Sequence, residues 1–461
     1  MKLVLLSGGS GKRLWPLSND ARSKQFLKVL ENDEHELVSM VQRVWGQIVA
    51  NGLAESSFIA TSKSQIEIMQ SQIGMEIPLI IEPERRDTFA AIALATTYLY
   101  SHVGVGLDEV VCVLPVDPFV ENHFFNVVKR LEDVLDHSNA ELALIGVKPT
   151  YPSSKYGYII PLESQHNIGD LERTDYLEVS HFLEKPTEET AKRLITQNAF
   201  WNCGVFAYKL SYIIDLLESR GLPIQYEGMI QKYQTLPKIS FDYEVVEKAT
   251  RIAVVPYDGY WKDLGTWNTL TEEMQHRQIG RGIISDDCEN THLINEIDIP
   301  VSVVGLSNIV VAASPDGILV TDKSASPRIK DFINFNQGPM YEERQWGWIR
   351  ILDDQTYDDG RCVITKRIGI GEGKNISYRM HSNREEVWTI VKGEGEFIQN
   401  GNFMRVKAGN VLHLPMKTLH SIRALSDLEI IVVQSGVEHE RNQLIELYQT
   451  WGEMAEHCIK M

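Results

Sequence analysis

The chain opens on an apolar run, Met1-Lys2-Leu3-Val4-Leu5-Leu6, that stops abruptly at Ser7-Gly8-Gly9-Ser10-Gly11-Lys12-Arg13. This junction limits the fold more than any other stretch. An apolar segment of one strand's length, followed by three glycines and two cations, reads as a buried first strand leading into a ligand-facing loop. It is too short to span a membrane, and it lacks the apolar core and small-residue cleavage site of a secretory leader. Glycines after a strand let backbone N–H groups converge on phosphate oxygens. Lys12, Arg13, Arg22, Lys24 and Lys28 follow, interrupted only by Asp20. In a chain with a formal charge of −18, that local reversal of sign is informative. The overall charge argues against a nucleic-acid partner, which needs Lys and Arg to neutralise its phosphates, but it leaves small anionic substrates open.

Two familiar phosphate loops fail against this stretch. A Walker A loop requires Ser or Thr after its Lys, where Arg13 stands, and a glycine where Leu6 stands. A dinucleotide fingerprint starting at Gly9 requires a small residue at Leu14. A tight strand-to-helix turn is the plain alternative.

At 461 residues the chain exceeds one hydrophobic core, so two or three domains are expected. Strand-like runs at Ser57–Ala60, Pro78–Ile81, Glu109–Pro115 and Glu141–Val147 alternate with helical patterns around Leu37–Val49 and Thr88–Tyr100. That texture indicates an α/β domain with a mostly parallel sheet over residues 1–280. Short apolar runs and turn-like stretches mark a small all-β connector over 281–340. Many short β runs punctuated by glycine pairs mark a β-sandwich over 341–461, and Glu438–Ile459 is helical in pattern. The five cysteines are scattered and form no C-x-x-C, which fits a reducing cytosol and neither a disulfide framework nor structural zinc.

The loop belongs to a longer pattern. Ser7 to Ser18 and Lys24-Gln25-Phe26 are followed in order by Glu82-Pro83-Glu84-Arg85-Arg86-Asp87-Thr88, Pro115-Val116-Asp117, Tyr156-Gly157-Tyr158-Ile159, Phe182-Leu183-Glu184-Lys185-Pro186, Trp201-Asn202-Cys203-Gly204 and Trp261-Lys262-Asp263-Leu264-Gly265. The ordered set resembles the sugar-phosphate nucleotidyltransferases, and within them the mannose-1-phosphate guanylyltransferase branch. The resemblance implies a Rossmann-like domain that joins GTP to mannose-1-phosphate with Mg²⁺, releasing pyrophosphate. Arg13 and Lys24 would neutralise the triphosphate and the leaving pyrophosphate. Gly8, Gly9, Gly11 and Lys12, with Arg86 and Thr88, would line the nucleotide site. Asp117 and Asp263 would hold the metal, and Gly157, Glu184, Lys185 and Asn202 the sugar. One departure is Pro118, where the family often has His.

Such chemistry accounts for these residue types. A sugar-1-phosphate is already an anionic nucleophile, so no general base is required. The barrier is electrostatic, and cations, backbone donors, a metal and alignment lower it. Residues 373–436 resemble a cupin, more closely the domain that carries phosphomannose isomerase activity in some homologues. Of that activity's metal ligands, His381, Glu386 and His420 have counterparts, while Asn383 stands where a second His belongs and Val387 replaces another. Strand alternation puts His381 and Asn383 on one face. The depleted set points to a metal-free or weakly binding domain. An active isomerase, a regulator site, a homodimer contact and a degenerate relic stay open beside it. So does a non-catalytic nucleotide-sugar-binding subunit for the whole chain.

Overall fold

In the computed structural model, which describes residues 1–9, 11–162, 176–333, 338–437 and 444–458, the chain divides into two units. The first comprises Met1–Arg13, Ser23–Ile66 and Gln72–Gln275; the second comprises Leu14–Arg22, Glu67–Ser71 and His276–Met461.

The first unit is built on a nine-stranded sheet. Lys2–Ser7 lies near its middle, between Ser57–Ser62 and Val110–Pro115, and both neighbours are parallel to it. Leu3, Val4, Val111, Val113 and Leu114 are wholly buried, as expected for parallel strands covered on both faces. The ten-residue strand Phe200–Lys209 joins antiparallel to Val110–Pro115 and Leu142–Val147. Leu177–Leu183 is likewise antiparallel to Ile252–Tyr257. Parallel pairing is therefore confined to four successive strands on one side, from Leu79–Glu82 to Val110–Pro115, and to Leu142–Val147 with Ile252–Tyr257. The sheet is thus more mixed than strand–helix alternation suggests.

Helix Asp87–Thr97 is buried at every position from Phe89 to Thr97, which makes it a core helix rather than an amphipathic one. Helix Met40–Ala50 starts at a capping box, in which the Ser39 side chain accepts from Gln42 N and Gln42 reaches back to Ser39 N. All five cysteines are free and buried. No helix among the described residues is long and apolar enough to cross a membrane.

The second unit begins with parallel ladders: Gln278–Ile279, His292–Asn295 and Ile309–Ser314 form one, Gly282–Ile284 and Val301–Val303 another. Beyond them two antiparallel sheets, of six and five strands, face each other across a core containing Ile368, Trp388, Phe397, Ile422 and Ile430.

Two expectations change here. The tail is not one helix: Leu444–Tyr448 is a strand and only Trp451–Cys458 is helical, while 438–443 and 459–461 lie outside the described residues. Leu444, Ile445 and Leu447 satisfy a helical spacing, but Tyr378–His381 offers an open sheet edge, and pairing with it satisfies backbone groups on both strands. Nor do His381 and Asn383 share a strand face, because the strand ends at His381 and Asn383 sits in the turn before Arg384–Lys392.

Candidate functional site

Strand register builds the centre of the site. Leu6 pairs with Pro115, and Val116 N donates to Leu6 O at 3.2 Å, so the ends of the two strands lie side by side. Gly8, Gly9 and Asp117 therefore reach one cavity. Gly9 has φ +137°, a conformation that favours glycine. Asp263 arrives by another route. Pro118–Val120 and Trp261–Asp263 form a two-stranded antiparallel ribbon in which Asp263 lies opposite Pro118. The departure at Pro118 thus falls on the residue that sets the spacing of the two aspartates.

Lys24 sits between them. Its Nζ lies 2.8 Å from Asp117 Oδ2 and 3.0 Å from Asp263 Oδ1. The turn Lys24–Phe26 is fixed from behind: Ser23 Oγ donates to Gly9 O at 3.2 Å, and Gln25 Nε2 donates to Ser7 Oγ at 3.2 Å. Gln25 belongs to the Lys24-Gln25-Phe26 signature but carries no role in the sequence, and Ser23 lies outside it. Burial alone would lower the Lys24 pKa, but the two carboxylates overcome it and hold the ammonium above its usual range. Burial likewise pushes Asp263 up, and Lys24 and then Arg13 outweigh it, leaving the carboxyl below the usual carboxylate range. Arg13 is exposed, in the turn Gly11–Leu14. Ser10 and the Lys12 side chain lie outside the described residues.

A cavity of about 550 Å³ extends from Gly8, Gly9 and Asp117 to the start of helix Asp87–Thr97. Arg86 and Thr88 line it but are already engaged. Arg86 pairs with Glu84 and donates to Leu236 O at 2.5 Å, and Thr88 Oγ1 accepts from Phe241 N at 2.8 Å. They shape the wall. Arg85 and Lys238, which the sequence reading passed over, also line it.

A second cavity, of about 230 Å³, shares Pro115, Asp117, Gly204 and Asp242 with the first and adds Gly157, Glu184, Asn202 and Asp263. Lys185 Nζ lies 2.5 Å from Glu184 Oε1. Glu184 Oε2 is buried and has no hydrogen-bond partner among the described residues. A buried carboxylate oxygen without a donor is costly, and a ligand hydroxyl would relieve that cost. Burial raises the Glu184 pKa despite Lys185. Asn202 N donates to Gly157 O at 2.8 Å, which seats the Asn202 strand against the glycine. A Cβ at Gly157 would strike Glu184 Oε2 and the Phe182 ring. Gly157→Ala should therefore raise KM for the sugar-side substrate about tenfold and cost about 1–3 kcal/mol by overpacking, as steady-state kinetics and thermal melts would show.

Asp242 and Glu247, which carry no assigned chemistry in the sequence, also shape this pocket: Asp242 lines both cavities and Glu247 stands behind Glu184. Asn202 Nδ2 donates to Asp242 Oδ1 at 2.7 Å, and Glu184 N donates to Glu247 Oε1 at 2.8 Å. Both fall in a stretch that resembles the family, and the fold supplies the partners that show what they do.

With that geometry in hand, the match of residues 2–278 to the family described as nucleotidyl transferase is decisive. The chain belongs to the nucleotidyl transferase family. Residues 340–449 match a second family, mannose-6-phosphate isomerase C-terminal. Over nearly full length the transferase is similar to mannose-1-phosphate guanylyltransferase RfbM of Salmonella typhimurium, at 26% identity with 97% of each chain covered. It is also similar to xanthan biosynthesis protein XanB of Xanthomonas campestris, at 28% identity with 97% of this chain and 98% of the other covered. A solved structure from Thermus thermophilus, "mannose-1-phosphate geranyltransferase", matches with a TM-score of 0.59 and 27% identity, covering 72% of this chain and 97% of that one.

Members of this family typically use a divalent metal. The residues here fit one: two carboxylates already converge on a cation, and an all-oxygen donor pair completed by phosphate and water suits a hard ion.

The centre of the second unit fits a metal less well. Glu386 accepts from Gln434 Nε2 at 2.7 Å and from Trp388 Nε1 at 2.9 Å, so each carboxylate oxygen is already engaged. His381 Nε2 and His420 Nε2 lie 3.3 and 3.5 Å from it, and Lys366 Nζ lies 3.9 Å away. Burial alone would raise the Glu386 pKa, but His381, Lys366 and His420 hold it far below the usual range. Burial lowers the His420 pKa to about 4. Two imidazoles and one carboxylate whose oxygens are both occupied, beside an ammonium, are a poor metal set.

Proposed function

We propose that the transferase makes a nucleoside-diphosphate sugar, GDP-mannose, from GTP and mannose-1-phosphate, with release of pyrophosphate. The observation that carries this reading is the pair of adjoining cavities, one of nucleotide dimensions and one of hexose dimensions, that share Asp117. A phosphate of either ligand can then meet the other ligand beside Lys24 and Asp263. The names of the full-length relatives support the guanine base and the mannose.

In the reaction a phosphate oxygen of mannose-1-phosphate attacks the α-phosphorus of GTP. The new P–O bond forms as the bond to pyrophosphate breaks, and no proton need move. Gly8 and Gly9 admit the nucleotide backbone-first, and Gly11 continues the same loop. Arg13 and Lys24 oppose the charge that builds on the departing pyrophosphate. Glu184 and Asn202 hold the sugar hydroxyls, and Lys185 orients Glu184. Asp117 and Asp263 would hold Mg²⁺, which when bound supplies positive charge to the phosphates. Five buried free thiols and phosphorylated substrates support a cytosolic setting for this activity.

A matrix of four nucleoside triphosphates against mannose-1-phosphate, glucose-1-phosphate and a heptose-1-phosphate, read by pyrophosphate release, tests the reading. GTP with mannose-1-phosphate should give the highest kcat/KM. Release with no pair would refute it.

For the second unit we propose no isomerase, because both Glu386 oxygens already accept from protein donors, although His420 Nε2 beside them is buried without a partner among the described residues. Elemental analysis of purified protein should find less than about 0.1 equivalent of transition metal, since one poor site cannot retain it. Interconversion of mannose-6-phosphate and fructose-6-phosphate should not rise above background. A stoichiometric metal with turnover would overturn this.

A further inference from the structure

Asp242 stands in the wall common to both cavities. It is the second residue of the short helix Phe241–Glu244, whose cap is Ser240. Its Oδ1 accepts from Asn202 Nδ2 at 2.7 Å. At the other end of the same amide, Asn202 Oδ1 accepts from Gly204 N at 3.0 Å. Both ends of the Asn202 side chain are therefore pinned, and its donor and acceptor cannot exchange places. One N–H and one lone pair are left over, each facing a fixed direction. An amide pinned in this way discriminates between sugars by where their hydroxyls stand, whereas a free amide would rotate to suit either epimer.

Resting on the sugar-transfer reading above, we infer that Asp242 is the positioning residue that sets sugar selectivity, by locking the Asn202 amide. Asp242 acts through Asn202. Its surroundings give it little other purpose as a charge: Glu184 and Asp87 are the acidic groups nearest in effect, and Lys185 only partly offsets them. A carboxylate held among other carboxylates in a shared substrate wall is an unfavourable arrangement for stability alone. The hydrogen bond to Asn202 is what the position gains in return. Phe241 is buried and Ser240 caps the helix, so the fold at this point does not depend on the Asp242 side chain.

The test compares Asp242→Ala and Asp242→Asn with the wild type. Asparagine keeps a carbonyl acceptor for Asn202 Nδ2, and alanine removes it. Asp242→Ala should raise KM for mannose-1-phosphate by about 10-fold or more and cut the preference for mannose-1-phosphate over glucose-1-phosphate about 10-fold. KM for GTP should change less than KM for mannose-1-phosphate, because Asp242 also lines the nucleotide cavity but the nucleotide makes no use of the Asn202 amide. Asp242→Asn should retain most of the selectivity. Selectivity unchanged in the alanine variant, or lost equally in the asparagine variant, would overturn the inference. A second readout does not require turnover. The side-chain amide protons of selectively labelled Asn202 should be slow to exchange in the wild type and in Asp242→Asn and fast in Asp242→Ala; equal exchange in all three would refute the lock. Absence of wild-type turnover with every substrate pair would instead strike the sugar-transfer reading, and the exchange measurement would still decide the role of Asp242.

Discussion

Asp263→Ala should lower kcat/KM for pyrophosphate release by about 10³-fold while leaving the protein folded. The carboxylate stands at the end of a three-residue ribbon strand, with its side chain 39% exposed, so its removal creates no core cavity. What is lost is one of two carboxylates that gather positive charge where the phosphates meet. The acid dependence of stability should change as well. Lys24 and Arg13 hold the folded-state pKa of Asp263 below its unfolded value of about 3.8. Its stabilising contribution is therefore present above that value and is lost as the pH falls through the folded pKa. Asp263→Ala should accordingly show a shallower loss of stability on acidification below pH 4 than the wild type. Pyrophosphate assays paired with melts at pH 3–7 check both parts. Activity within tenfold of wild type would show that the carboxylate is not part of the centre.

Lys24→Met produces the second large effect, and its size depends on the metal. Without the ammonium, Asp117 and Asp263 face one another with Arg13 and Lys155 offsetting Asp263 only in part. Removing one partner of a buried pair costs about 3–5 kcal/mol, and partial exposure of the site reduces that to about 2 kcal/mol. The variant should melt about 5 °C lower in the absence of divalent ions. Mg²⁺ should recover most of that loss, and should stabilise the variant more than the wild type, because in the wild type the ammonium already occupies the space between the carboxylates. Activity should nonetheless fall by about 10²–10³-fold, since the lysine is also needed against the triphosphate. Thermal melts with and without Mg²⁺ test this. Equal stabilisation of both proteins by Mg²⁺ would show that the lysine and the ion do not compete.

The two predictions concern residues that sequence alone could nominate but could not bring together. Gly8, Gly9 and Lys24 were legible because a loop that follows a buried strand must either turn or hold something, and the cations favoured holding. Asp117 was legible because it follows an apolar strand at the edge where open α/β sheets bind ligands. Asp263, far along the chain, gained its meaning from a ribbon three residues long that no periodicity announces. Arg86 and Thr88 show another case: they line the cavity, and Glu84, Leu236 and Phe241, partners that only the fold supplies, fix where they stand. Asp242 and Glu247 stand in a family-like stretch, but no role could be read for them because their partners, Asn202 and the backbone of Glu184, are 40 and 63 positions away. The same limit explains the misread tail. Apolar residues at 444, 445 and 447 are compatible with both periods, and an unpaired strand edge decided between them.

The central claim is that Lys24, Asp117 and Asp263 surround one position where a divalent ion and the phosphates meet. Anomalous diffraction from crystals grown with Mn²⁺ and a non-hydrolysable GTP analogue tests it most directly. The predicted result is a single manganese peak coordinated by the carboxylates of Asp117 and Asp263, with the Lys24 ammonium shifted onto a phosphate oxygen. A manganese peak elsewhere, with the Lys24 bridge to both aspartates left intact beside bound nucleotide, would contradict it.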